Sequence, residues 1–175
     1  HLELRQAFLL TNSAWISIAL FGSLPFLFSE INMSLTDAIF ESTSGITTTG
    51  ATVINNLEAT SHGILRWRAL LQWLGGVGII VMALAVLPML SIGGMQLFKT
   101  ESYETPDKVV PKAASFAAGI SIVYITLTII WAFMLWGAGM PIFDSIAHAM
   151  TTLATGGYST RSDSLAAFNL SLIHI

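Results

Sequence analysis

The sequence predicts an all-α membrane protein built from helix–loop–helix repeats, in which a short helix and a turn lie between two spanning helices. Two observations predict this fold class, the composition and an internal repeat. Of the 175 residues, 54% are hydrophobic and only 10% are charged, and the mean hydropathy is +0.73. Soluble domains carry about 25% charged residues. A chain with so few charges cannot cover itself with polar surface, so the membrane class is favoured.

The internal repeat is centred on a hydroxyl-rich turn, Thr47–Thr52. The residues before it, 37–46, are long enough for about three helical turns, whereas a bilayer-spanning helix needs about 20 residues. The pattern returns at an offset of 107 residues, which takes Asp37 to Asp144, Thr48 to Thr155 and Gly50 to Gly157. Two short helices, each ending in a Thr/Gly turn, therefore predict two equivalent units.

Residues 7–28 form the first apolar segment and are long enough to span the hydrocarbon core. Pro25 is expected to kink or stop this helix near its end. Ser34, followed three positions later by Asp37, has the form of a capping box, so a short helix is expected to begin near Thr36. Gly45 and the threonines that follow it should end that helix, because both residue types are weak helix formers.

Residues 53–68 are polar, and residues 69–92 form the second spanning candidate. This segment contains Gly75, Gly76 and Gly78. A dinucleotide-binding loop would need a third glycine three residues after Gly78, where Val81 stands, and no P-loop lysine follows. We interpret these glycines as small residues that let helices pack closely in lipid, with a hinge as the minor alternative.

Residues 93–112 form a charged connector in which Pro106 and Pro111 argue against one continuous helix. The third spanning candidate runs from residue 113 to 136, and Pro141 suits the first turn of the second short helix. We therefore divide the chain into a first repeat (1–92), a connector (93–111) and a second repeat (112–175) that ends before its last helix. Positive charges divide four against three and weakly favour a cytoplasmic connector: Arg5, Lys99, Lys108 and Lys112 against Arg66, Arg68 and Arg161.

The two Thr/Gly turns predict an ion path. Non-helical backbone at membrane depth is tolerated only where it is buried in protein or lines water. Backbone carbonyls can replace the hydration shell of an alkali cation without the burial of full charges. Gly50 and Gly157 can take positive φ, which lets successive carbonyls face one axis, and the hydroxyls of Thr48 and Thr155 can add oxygens. The alternative is that both segments are polar turns packed between helices.

Other functional classes are weaker. The chain has no cysteine and a net charge of −3, so thiolate chemistry is excluded and no nucleic-acid partner is indicated. The four histidines lack metal-ligand spacing. Residues 42–45 superficially resemble an intramembrane serine protease, but Ser42 stands where its motif needs glycine, so we expect no enzyme. Glu41 in the first short helix is either a functional ionisable residue or a packing and hydrogen-bonding residue near a wet mouth.

Two non-enzymatic alternatives stay open. Secondary transporters also carry broken helices with oxygen ligands at the membrane midplane. Their repeats are often inverted, which requires an odd number of spans in each repeat. Each unit here has two spans and a loop that returns to its own side, so the repeats are parallel and a channel-like pore is favoured over an ion-coupled transporter. A non-conducting membrane subunit is the second alternative.

The motifs resemble the TrkH/TrkG/KtrB potassium-uptake proteins of the Trk/Ktr/HKT superfamily. The resemblance covers nearly the whole chain except residues 171–175, and it is carried by five motifs: Asp37–Thr52, Gln72–Ile80, Gly93–Leu97, Phe143–Ile146 and Ala154–Thr160. It implies four pseudo-repeats of helix, pore loop and helix around one pore, a fold like that of potassium channels, and this chain matches the first and second of them. It also implies a multi-pass protein of the bacterial inner membrane, in a homodimer with a cytosolic nucleotide-binding regulatory subunit.

The resemblance further implies that two strands of a potassium selectivity filter lie in this chain. Potassium is then the transported substrate, no cofactor or other metal is needed, and the connector faces the cytoplasm while both filter turns face outward. Each family filter strand keeps one essential glycine where potassium channels have two, so weaker selectivity is expected. The implied filter residues are Thr48, Thr49, Gly50, Ala51, Thr155, Gly156, Gly157 and Tyr158.

Overall fold

The computed structural model of the chain describes residues 4–90 and 109–168. Within those two ranges the chain is helical with connecting turns and contains no strand, which confirms the all-α prediction. The α-helices are α1 (Leu4–Gly22), α2 (Leu24–Leu27), α3 (Leu35–Ile46), α4 (His62–Leu90), α5 (Val109–Gly137) and α6 (Ile142–Leu153), and a short 3₁₀ helix covers Ser164–Ala167.

The first apolar segment is broken between α1 and α2, two residues before Pro25. Pro25 lies in the first turn of α2, where its missing N–H costs no hydrogen bond. Ser23 donates its hydroxyl to the carbonyl of Leu20 at 2.6 Å. The indole of Trp67 donates to the carbonyl of Gly22 at 2.9 Å. The break therefore satisfies the backbone groups that a proline within a continuous helix would leave unpaired.

Helix α3 begins one residue before the predicted start and ends where the threonine run begins. Ser34 is its N-cap, because the Ser34 hydroxyl accepts the backbone N–H of Asp37 at 3.1 Å. The same hydroxyl lies 2.7 Å from the Asp37 carboxylate. Thr47 is the C-cap. The predicted start and stop of this short helix are confirmed.

Helix α4 begins at His62, well before the predicted residue 69. Residues 62–68 were interpreted as a polar connection, but they form the first turns of this helix. The reason is tertiary packing, because Leu65 and Arg68 are buried in the protein interior. Arg68 is consequently not one of the loop charges that set orientation, as the charge count assumed. The far end of the predicted span, residues 91–92, lies outside the described residues.

Helix α5 begins at Val109, before the predicted residue 113, and therefore includes Pro111 in its first turn. A proline is tolerated there because the first N–H groups of a helix have no intrahelical partner. Most of the predicted connector falls within residues 91–108, which are outside the described part of the chain, so its structure stays a prediction.

Two segments of the described residues are long and apolar enough to cross a membrane, Phe8–Leu27 and Ala117–Gly137. Large hydrophobic side chains stand exposed along both, as at Phe21 and Phe133. An apolar core cluster joins the first of these segments to α3 and α4 through Phe26, Ala38 and Leu71. The short helix α3 is thus held between longer helices rather than lying on the surface.

The structure repeats at the offset seen in the sequence. Helices α3 and α6 each contain 12 residues, and the offset takes both ends of α3 to both ends of α6. Residues with positive φ precede both helices at equivalent positions, Asn32 with φ of 51° and Gly139 with φ of 106°. The predicted equivalence of the two short helices is confirmed at the level of the backbone.

Candidate functional site: two Thr/Gly turns joined by α4

The first turn leaves α3 through a fixed set of backbone hydrogen bonds. The N–H of Thr48 donates to the carbonyl of Gly45, and the N–H of Thr49 donates to the carbonyl of Ser44, both at 3.0 Å. Thr48 has φ of 56° and Gly50 has φ of 81°. Alternation of left-handed residues with ordinary ones turns the chain away from the helix axis within a few residues.

The second turn repeats this geometry. The N–H groups of Thr155 and Gly156 donate to the carbonyls of Thr152 and Thr151, both at 2.9 Å. Thr155 has φ of 55° and Gly157 has φ of 79°. Positive φ at both glycines agrees with the expectation from sequence. The left-handed threonines were not anticipated, because a β-branched residue rarely adopts that conformation and stores strain where it does.

The two turns meet at Gly50. A β-carbon at Gly50 would overlap the carbonyl oxygen of Gly156, so the first turn packs directly against the second. A β-carbon at the equivalent Gly157 would meet no atom of the described residues within 4 Å. The glycine of the first turn therefore packs against the second turn, whereas the equivalent glycine of the second turn contacts no described residue on that side.

Gln72, in the middle of α4, holds the second turn. Its side chain is fully buried. The amide nitrogen donates to the carbonyl of Gly156 at 3.0 Å, and the amide oxygen accepts the N–H of Tyr158 at 3.1 Å. A β-carbon at Gly156 would overlap the Gln72 side chain, so glycine is required there to admit the amide.

Tyr158 belongs to the second turn, but its side chain lies behind the first. Its ring is buried, and its hydroxyl lies 2.9 Å from the carbonyl of Glu41 and 3.2 Å from the carbonyl of Ala51. Ser44 also donates to the carbonyl of Ala51, at 2.6 Å. The Tyr158 side chain thus anchors one turn to the other, and only its backbone is available to line a path.

Glu41 and Arg68 form a buried ion pair beneath the turns. Their Nε and Oε1 atoms are 2.7 Å apart, and both side chains are almost fully buried. Thr52 and the N–H of Val53 also donate to the Glu41 carboxylate. Arg68 donates through Nη1 to the carbonyl of Ser159 at 3.1 Å. Of the two hypotheses for Glu41, this geometry fits the hydrogen-bonding role. Because the carboxylate is buried, however, it does not lie near a water-filled mouth.

The counterpart of Glu41 in the second unit is His148, and it makes the equivalent contact. The offset takes Thr52 to Ser159, and His148 Nε2 lies 3.1 Å from the Ser159 hydroxyl. His148 Nδ1 lies 2.8 Å from the carbonyl of Asp144. A carbonyl only accepts, so Nδ1 donates to it, and in the neutral ring Nε2 then accepts from the Ser159 hydroxyl. Glu41 and His148 are different side chains, but they lie at equivalent positions, and each contacts the hydroxyl residue at the end of its own turn.

The loops that follow the two turns are also joined. The backbone N–H and the hydroxyl of Ser162 donate to the Glu58 carboxylate at 2.8 and 2.7 Å. These hydrogen bonds, the backbone one first, lower the pKa of Glu58 below its ordinary value, because they stabilise the charged form. The contact is therefore made by the carboxylate and weakens as the pH falls towards its pKa.

Sequence reasoning missed two polar residues of α4, Arg68 and Gln72, that join the first unit to the second turn. Gln72 was noted only as part of a glycine-rich motif, and Arg68 only as a loop charge. For Gln72 the available signal was a polar side chain in the middle of an apolar helix, which is rare unless it has a partner. Among residues 4–90 and 109–168, no three His, Asp or Glu side chains are grouped as metal ligands would be. The oxygens at the turns are backbone carbonyls and hydroxyls.

Comparison with known proteins gives consistent matches. The family model TrkH, described as a cation transport protein, matches residues 1–175. The Trk system potassium uptake protein TrkI of Halomonas elongata is 45% identical over 93% of the chain, and TrkH of Salmonella typhimurium is 46% identical over 96%. The crystal structure of the potassium transporter TrkH from Vibrio parahaemolyticus matches 95% of the chain with a TM-score of 0.80 and 42% identity.

The chain spans about a third of the length of these relatives. It covers 33% of the Halomonas protein, 35% of the Salmonella protein and 33% of the solved Vibrio chain.

Proposed function

Because the chain belongs to the TrkH family of cation transport proteins, we propose that it forms part of a pathway for potassium uptake across the bacterial inner membrane. The names of the relatives, potassium uptake proteins and a potassium transporter, support potassium as the transported ion. The proposed role is transport, without an enzymatic step and without a cofactor.

The observation that carries this proposal is the repetition of one turn geometry at two positions that touch. Thr48 and Gly50 in the first turn, and Thr155 and Gly157 in the second, share the same pair of positive φ angles. Such turns direct backbone carbonyls to one side, where they replace the water around a cation. We propose that the filter strands comprise Thr48, Thr49, Gly50 and Ala51 in the first unit and Thr155, Gly156, Gly157 and Tyr158 in the second.

The proposed architecture extends the two units to a ring. Residues 1–92 and 112–175 supply two adjacent repeats of four, and residues 93–111 connect them on the cytoplasmic side while the filter turns face outward. The one-sided contact between the turns supports a ring, because the free side of Gly157 is where a third turn would pack. A homodimer and a cytosolic nucleotide-binding regulatory subunit complete the proposed assembly.

The proposal is tested by Gly50→Ser in the full-length protein that contains this chain. A side chain at positive φ costs roughly 1–2 kcal/mol of backbone strain, and here it also overlaps the Gly156 carbonyl. We expect weaker rubidium uptake and a rubidium-to-sodium preference reduced about tenfold, the effect of about 1.4 kcal/mol. Ala51→Ser should do less, because Ala51 already carries a β-carbon.

The matched control is Gly63→Ser, near the start of α4. A β-carbon at Gly63 meets no described atom within 4 Å, and the residue has no positive φ. This variant should insert and transport like the parent. Fluxes are normalised to the amount of protein in the membrane. An unchanged ion preference in Gly50→Ser, at normal expression, would remove Gly50 from the filter and return both turns to a structural role.

A further inference from the structure

Residues on one face of α4 contact the second turn and the end of α6. Three positions spaced by four, and therefore on the same side of the helix, make these contacts. Arg68 bonds the carbonyl of Ser159, Gln72 bonds the backbone of Gly156 and Tyr158, and a β-carbon at Gly76 would lie 3.0 Å from Ala154 Cα. Helix α4, which belongs to the first unit, thereby sets the position of the turn in the second unit.

Gln72 is the central contact on this face, and its amide orientation is determined. The Gly156 carbonyl can only accept and the Tyr158 N–H can only donate, so nitrogen must face the first and oxygen the second. In the opposite orientation the amide oxygen would face the Gly156 carbonyl and the amide nitrogen would face the Tyr158 N–H. Two acceptors and two donors would then be buried against each other. An apolar side chain would leave both backbone groups of the turn without these partners.

The Gly156 carbonyl held by Gln72 is also the atom against which Gly50 packs. One amide therefore acts on the point where the two turns meet. A carbonyl oxygen has two lone pairs. It can accept from Gln72 with one while the second remains available, and the hydrogen bond limits the direction in which the oxygen points.

We infer that Gln72 is a positioning residue that sets the direction of the Gly156 carbonyl and, through it, the ion preference of the pathway. This inference rests on the proposed function, since ion preference has meaning only if the two turns line an ion path. Gln72 does not contact the ion itself in this role. It acts through the backbone of the second turn and its junction with the first.

The inference is tested with Gln72→Met and Gln72→Asn in the full-length protein. Methionine keeps a similar length and loses both hydrogen bonds. Asparagine keeps the amide but is one methylene shorter, so from the same position on α4 it no longer reaches both backbone partners. The readouts are KM and maximal rate for rubidium uptake and the rubidium-to-sodium preference, all normalised to membrane-inserted protein. We expect a loss of preference of about tenfold in Gln72→Met, because buried backbone groups lose their partners.

The matched control is Trp73→Phe, at the next position in α4. It removes a different hydrogen bond between the two units, from the Trp73 indole to the Thr128 hydroxyl at 3.0 Å, away from both turns. A preference shifted in both Gln72 variants and unchanged in Trp73→Phe supports the inference, and Gln72→Asn alone decides if Gln72→Met fails to insert. Unchanged preference in the Gln72 variants overturns the inference alone. If the parent protein takes up no rubidium, the proposed function fails, and the inference fails with it.

Discussion

At the scale of single residues, two adjacent glycines of α4 are the points where this helix touches the ends of the two short helices. A β-carbon at Gly75 would overlap the backbone carbonyl of Ile46, the last residue of α3. A β-carbon at Gly76 would lie 3.0 Å from Ala154, the C-cap of α6. Both glycines permit close backbone approach. The interpretation of the motif as a packing device, rather than a nucleotide-binding loop, is therefore confirmed.

Gly75→Ala should destabilise the protein, because the obstructing atom is backbone and cannot move aside easily. Overpacking of this kind costs about 1–3 kcal/mol. The control is Gly78→Ala, since a β-carbon there meets the Trp15 ring at an ordinary 3.7 Å. Thermal unfolding of the full-length protein in detergent measures the difference. Equal melting temperatures for the two variants would show that α4 can shift away from α3 at little cost.

At the scale of the elements, α3 and α4 are joined by the buried pair of Glu41 and Arg68. Charges of this kind are costly to bury, and the cost is offset only when the pair and its hydrogen bonds are complete. Here Thr52 and Val53 donate to the carboxylate and Ser159 accepts from Arg68 Nη1, while Arg68 Nη2 is buried among the described residues without a hydrogen-bond partner. The pair therefore links the first short helix, the first turn and the second turn to one position on α4.

Arg68→Met should be strongly destabilising, by about 3–5 kcal/mol, because it leaves the Glu41 carboxylate buried without its partner. The double variant Glu41→Gln with Arg68→Met should lose much less than the sum of the two single changes, since no unpaired charge remains. The four proteins of this cycle are compared by thermal unfolding in detergent. Additive effects would mean that the two side chains do not stabilise each other.

At the scale of the whole molecule, the contact between the two turns fits the proposed ring. The first turn is packed against the second, while the Gly157 side of the second turn faces no described part of the chain. Large apolar side chains along α5 and α6, such as Phe133 and Ile142, are exposed as well. Exposed apolar surfaces of this kind are favourable against further helices or lipid and unfavourable against water.

We expect that the 175-residue chain by itself does not conduct potassium. Two filter strands supply half of the proposed ring, so an ion on the axis would lack oxygens on one side. The test is growth at low potassium of cells that lack other uptake systems and produce this chain. The full-length protein is the positive control. Rescue of growth by the chain alone, at comparable membrane levels, would contradict the proposed four-repeat ring.

The sequence by itself determined the parts that depend on local chemistry and on composition. The first and third apolar segments contain the two spans found among the described residues. Ser34 and the threonine run define both ends of α3, and the constant offset predicts that α6 repeats it. Each of these signals lies within a few residues of the feature it predicts, or compares the chain with itself. The family resemblance followed from the same motifs.

Only the tertiary structure decided how the two units are joined. Residues 62–68 look polar in sequence, yet they are helical because Leu65 and Arg68 are buried against other elements. Gln72 contacts Gly156 and Tyr158 across more than 80 residues of chain. A hydrogen bond of that span leaves no periodicity or spacing in the sequence, because its geometry is set by the packing of α4 against both turns.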